Sequence, residues 1–93
     1  MNQPRLIRLP VVTDRTGRSI PTNYRDIAAG LMTRGVRFGR TVAWPEHEID
    51  AVVQARIAGV SEAELRQLVD RLHEARKTPI WTRLDVAANG AAK

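Results

Sequence analysis

The sequence contains no cysteine, which excludes a disulfide framework, a thiolate zinc site and a cysteine nucleophile together. No apolar run approaches the length of a membrane span, and residues 1–10 carry two arginines without a signal-peptide core. Histidine is scarce. His47 and His73 stand 26 positions apart, and neither belongs to a ligand-spaced motif such as HExxH. No glycine loop matches a phosphate-binding signature, and no internal repeat is present. The expectation is a cytoplasmic protein without catalysis, metal or cofactor. Its 93 residues suffice for one modest core and not for a deep substrate cavity. A hydrophobic content of 43% is ample for folding.

What is present in quantity is positive charge, a net +5 with pI near 11.0, and this points to a polyanionic partner. The charge is unevenly distributed. Residues 1–44 hold Arg5, Arg8, Arg15, Arg18, Arg25, Arg34, Arg37 and Arg40 against Asp14 and Asp26, a net of +6. Residues 45–93 hold seven basic and eight acidic groups, a net of −1. Lysine is absent from the first half. Arginine's flat fork fits phosphate oxygens and guanine edges, so the first half is the expected nucleic-acid surface.

Leu6, Ile7 and Leu9 form a short apolar lead-in, and Pro10 suits the first turn of a helix. Val11 and Val12 give that helix a small buried face to about Arg15, and Gly17 stops it. Ser19 is the N-cap of a second helix with Pro21 in its first turn. Tyr24, Ile27, Ala28 and Leu31 make its apolar stripe at i, i+3, i+4 and i+7, and Gly30 ends it. Two short helices joined by a glycine turn read as helix-turn-helix. The period then falls to two. Val36 and Phe38 flank Arg37, and Val42, Ala43 and Trp44 follow the turn Gly39-Arg40-Thr41. This predicts a β-hairpin, a wing, with an apolar inner face and Arg37 and Arg40 outside or at its tip.

Pro45 opens a third helix with Glu46, Glu48 and Asp50 at its positive end. Ile49, Val52, Val53 and Ile57 form its expected buried stripe, and Gly59 ends it. Ser61 and Glu64 make a capping box, with Val60 and Leu65 placed as a staple. In the fourth helix, running to about Lys77, Leu65, Leu68, Val69 and Leu72 either cover the third helix or form a partner surface. Thr78-Pro79 breaks it. The fold class is therefore mainly α with a small β-hairpin. Residues 1–60 form the winged helix-turn-helix, 61–77 a C-terminal helix and 78–93 a tail in which Trp81 folds back or docks on a neighbour.

Residues 9–58 resemble the AlpA family of prophage regulators and the related excisionases. The matching features are Leu9-Pro10, Thr16-Gly17, Ser19, Thr22, Tyr24-Arg25, Val36-Arg37-Phe38-Gly39, Val42-Ala43-Trp44 and the acidic helix start at 46–49. The resemblance implies a winged helix-turn-helix akin to the MerR DNA-binding domain, in a protein of a mobile genetic element. It further implies an excisionase-like recombination directionality factor that bends attachment-site DNA for an integrase (a tyrosine or serine recombinase). The alternative is an AlpA-type transcriptional regulator. Head-to-tail self-association on DNA and a nucleoid location follow from the same analogy. Ile20-Pro21 departs from the family's small basic or hydroxylated pair, Asn23 and Asp26 stand where apolar residues are usual, and the extension from Val60 exceeds the minimal domain.

A recognition helix presents the solvent-facing residues of its N-terminal turns to base edges. That selects Thr22, Asn23 and Arg25, preceded by Ser19 and by Arg18 at the turn. Arg25 reads guanine or clamps phosphate, phosphate being the commoner contact, and Asn23 has the groups to pair with adenine. Asp26, a carboxylate near phosphate, is expected to orient Arg25 or stabilise its helix. Arg34, Arg37 and Arg40 follow the backbone or enter a narrow minor groove. Trp44 and Phe38 are expected in the core.

Overall fold

Gly17 closes the first helix in the left-handed conformation, φ 69°, with its N–H on the carbonyl of Thr13. In the computed structural model, which describes residues 5–77, the order is β1 (Leu6–Ile7), α1 (Leu9–Thr16), α2 (Ile20–Ala28), β2 (Val36–Phe38), β3 (Thr41–Pro45), α3 (Glu46–Ala58) and α4 (Glu62–Ala75). The described chain is thus mainly helical with a small antiparallel sheet. Ser19 caps α2 by accepting from the Thr22 N–H, and the capping box of Ser61 and Glu64 starts α4. The Ser61 backbone N–H donating to Glu64 Oε1, and after it the Ser61 side chain, hold the Glu64 carboxyl below the ordinary glutamate value. Ile80, Trp81 and the expected tail lie outside the described residues.

The sheet has one more strand than the sequence pattern suggests. Its order is β1-β3-β2, with Ile7 opposite Trp44 and Leu6 opposite Pro45. Two residues are too few to display a period, so this strand is carried by its backbone pairing. Across the hairpin Val36 faces Ala43, Arg37 faces Val42 and Phe38 faces Thr41, leaving Gly39-Arg40 as the turn. Strand alternation puts Arg37, Val42 and Trp44 on one face and Val36, Phe38 and Ala43 on the other. The expected single apolar inner face is therefore corrected. Trp44 and Val42 join the core, whereas Phe38, on the opposite face beside the turn, is 48% exposed.

The core gathers Ile7, Val12, Met32, Trp44, Ile49, Val52, Leu65 and Val69. Leu65 and Val69 are buried with α3 residues, and Leu68 and Leu72 pack beside them, so the stripe of α4 covers α3. Trp44 donates from Nε1 to the Thr33 carbonyl at 3.0 Å, satisfying its one polar group inside the core. Gly35 is required by space. A Cβ there would stand 2.5 Å from Val42 Cγ1 and 3.1 Å from the Trp44 ring.

Two helical faces differ from expectation. In α2 the buried residues are Asn23 and Asp26, and Tyr24 is 48% exposed. In α3 Ile57 is 80% exposed, and Arg56 turns inward instead. An ion pair between Asp26 of α2 and Arg56 of α3 joins these two faces. No helix among the described residues is long and apolar enough to cross a membrane.

Candidate nucleic-acid interface

The arginines of the described residues fall into two groups, those with a partner and those without. Arg5 and Arg15 reach Glu46 at 3.4 and 2.6 Å, and Arg15 also reaches Asp50 at 2.8 Å. These links fasten the N-terminal segment and α1 to the acidic start of α3. Arg18 pairs with Asp26 at 2.7 Å and Arg56 with the same oxygen at 3.2 Å. Arg76 binds the buried carboxylate of Glu48, Nε to Oε2 at 2.8 Å. These arginines are structural or partly so. Arg8, Arg25, Arg37, Arg40 and Arg71 are exposed and have no ion pair or side-chain hydrogen bond among the described residues.

Arg25 projects from α2, Arg37 from β2 and Arg40 from the hairpin turn. The two elements meet through Tyr24 and Trp44, whose rings lie edge to face with centroids 6.4 Å apart. Arg37 shares the hairpin face of Trp44, so it projects on the side where α2 lies. The last turn of α2, which carries Arg25, and the basic hairpin thus belong to elements in contact through this ring pair, with Arg25, Arg37 and Arg40 free among the described residues. Such an arrangement offers several guanidinium groups to one polyanion at fixed spacing.

The remaining expected contacts are placed as follows. Ser19 and Thr22 are at the start of α2, the Ser19 hydroxyl donating to Thr22 Oγ1 at 2.9 Å. That leaves the Ser19 oxygen engaged as the cap and the Thr22 hydroxyl hydrogen free. Arg34 is exposed in the connection between α2 and β2. Asn23 is the correction. Its side chain is 2% exposed, and its Nδ2 donates to the carbonyls of Arg18 at 3.0 Å and Ser19 at 3.2 Å. It bridges the α1–α2 turn to α2 and has no face toward solvent with which to read a base. Asp26 holds Arg18 and Arg56, not its neighbour Arg25, and so serves the fold.

Sequence reasoning missed the polar contacts that organise the connection between α2 and β2. Arg66 Nε donates to the Ala29 carbonyl at 2.9 Å, and Arg76 Nη2 to the Arg34 carbonyl at 2.7 Å. His73 Nε2 accepts the Arg34 backbone N–H at 3.2 Å. Each joins residues 37 to 42 positions apart, which no local pattern signals. Asp26, Arg56 and Glu62 line a cleft beside this region with Arg18 and Leu65. No cluster of potential metal ligands occurs among the described residues. Compared with known proteins, the chain matches no family model, no curated protein and no solved structure.

Proposed function

We propose that this chain binds double-stranded DNA as a winged helix-turn-helix, α1 and α2 forming the helix-turn-helix and the β2–β3 hairpin the wing. The carrying observation is the sorting of arginines. Arg5, Arg15, Arg18, Arg56 and Arg76 are committed to carboxylates, while Arg25, Arg37 and Arg40 on α2 and the hairpin, like Arg8 and Arg71, have none among the described residues. Phosphate contacts by these three supply affinity and register. Thr22 and the start of α2 lie against base edges, and Arg34 and Arg18 flank them on the backbone. Binding involves no catalytic step.

The narrower assignment is an excisionase-like directionality factor of a mobile genetic element, bending attachment-site DNA for an integrase. It rests on the resemblance of residues 9–58 to AlpA regulators and excisionases, because charge and fold argue for DNA and not for its biological use. A gel-shift and footprint on DNA flanking the protein's own gene, including any attachment site, tests both levels. A ladder of complexes over tandem repeats with periodic enhanced cleavage is the expected result. One discrete complex over a promoter would replace excision with transcriptional regulation. No binding at low salt would remove the DNA reading altogether.

A further inference from the structure

Residues 29–35 connect α2 to β2 without helix or strand, so their backbone carbonyls need partners from elsewhere. Side chains provide four of them. Ala29 accepts from Arg66, Leu31 from Arg56 at 3.3 Å, Thr33 from Trp44 and Arg34 from Arg76. The Arg34 N–H is taken by His73. Three of these five bonds come from α4 and the residue that caps it, and they fall at the two ends of the connection. Ala29 is the C-cap of α2, and Arg34 stands two residues before β2.

We infer that α4 sets the placement of the hairpin relative to α2, with Arg66, His73 and Arg76 as positioning residues for DNA recognition. The inference rests on the reading of α2 and the hairpin as the two DNA-contacting parts. Recognition by two elements depends on their spacing, since each reaches its groove only when the other is seated. The seven-residue connection has no regular structure of its own; the Tyr24–Trp44 contact and the bonds from Arg56 and Trp44 hold its middle, and α4 holds its two ends. With Nε2 accepting the amide N–H, the neutral His73 ring carries its proton on Nδ1 and offers the Arg34 guanidinium, 3.2 Å away, no lone pair. That guanidinium remains available for phosphate.

The link is proton-sensitive. His73 is faced by Arg34 from the connection, by Asp70 and Arg76 from its own helix region and by Glu48 from α3. Burial, then Arg34 and Arg76, hold its pKa below the ordinary imidazole value, with Glu48 and Asp70 opposing. A protonated ring has no acceptor for the Arg34 N–H.

Because the native chain has no cysteine, spin labels on Ala28→Cys and Arg40→Cys report the distance from α2 to the hairpin tip without background. Double electron–electron resonance on the full chain, without DNA, should give one narrow distribution for the parent and for H73Q, whose amide oxygen accepts the same N–H. H73L and R66A should broaden it, and acidification should broaden the parent but not H73Q. An unchanged distribution in H73L and R66A overturns the inference whether or not DNA binds. In the unlabelled chain, H73L should lower the ratio of specific to non-specific DNA affinity roughly fivefold, the worth of one hydrogen bond. Broadening with an unaltered ratio also overturns it. A parent that is narrow yet binds no DNA instead refutes the DNA reading and leaves the placement by α4 standing.

Discussion

Arg18 Nε stands 2.7 Å from Asp26 Oδ2, and Arg56 reaches the same oxygen from α3, 30 positions away. The carboxylate is 8% exposed, so it is a shared anchor for the α1–α2 turn and for α3. Asp26→Asn keeps the shape and removes the charge both guanidinium groups answer. We expect a loss of about 1–3 kcal/mol, in keeping with hydrogen bonds to a charged group, read as a lower urea midpoint at constant m-value. A double-mutant cycle with Arg18→Ala should show coupling, because the two act through one contact. Additive losses would mean that Asp26 works through Arg56 alone.

The same contact explains where sequence reading stops. Caps, glycine stops and the hairpin are local signals, written within four or five residues, and Gly17, Ser19, Ser61 and Glu64 act as their chemistry dictates. The rotation of α2 is not local. Ile27 and Leu31 of the expected stripe do pack against the core, but Tyr24 looks like part of it until Arg56 is known to meet Asp26, because a buried polar residue is recognisable only by its partner. Ile57 misleads for the complementary reason, since Arg56 turns inward beside it. Within the candidate interface, Arg25, Arg37 and Arg40 were legible as exposed cations. Asn23 was not, because the same amide that would suit adenine also bridges two carbonyls of a turn.

That distinction can be measured through salt. If Arg25, Arg37 and Arg40 each contact a phosphate, alanine at any one of them should flatten the slope of log affinity against log salt by about one unit. Asn23→Ala should leave the slope unchanged and lower stability by about 1–3 kcal/mol, as loss of a buried hydrogen-bonding group does. Unaltered slopes for the three arginines would take them out of the interface. A changed slope for Asn23→Ala would return it there.

Glu48 presents a sharper energetic case, because its side chain is 1% exposed and paired with Arg76. Arg76→Ala would leave a carboxylate buried without its counter-charge, which costs about 3–5 kcal/mol. Replacing both residues with methionine removes charge and partner together, so the double variant should unfold at a higher urea concentration than Arg76→Ala. A double variant as unstable as the single one would mean that the Arg76 bond to the Arg34 carbonyl, lost in both, carries the effect.

The His73 contact makes stability depend on pH with a definite sign. Burial and the neighbouring arginines depress the folded-state pKa below the ordinary value of 6.5. Between those two values the unfolded chain binds more protons than the folded one, so stability rises with pH there. The contribution is complete above the ordinary histidine range and is lost progressively as pH falls through it toward the folded value. His47 lies exposed on α3, which makes His47→Gln a suitable control. Urea midpoints across mildly acidic pH should slope in the parent and in His47→Gln and should flatten in His73→Gln. An equal slope in His73→Gln would assign the pH dependence to another group and would also remove the proton sensitivity argued for the link between α4 and Arg34.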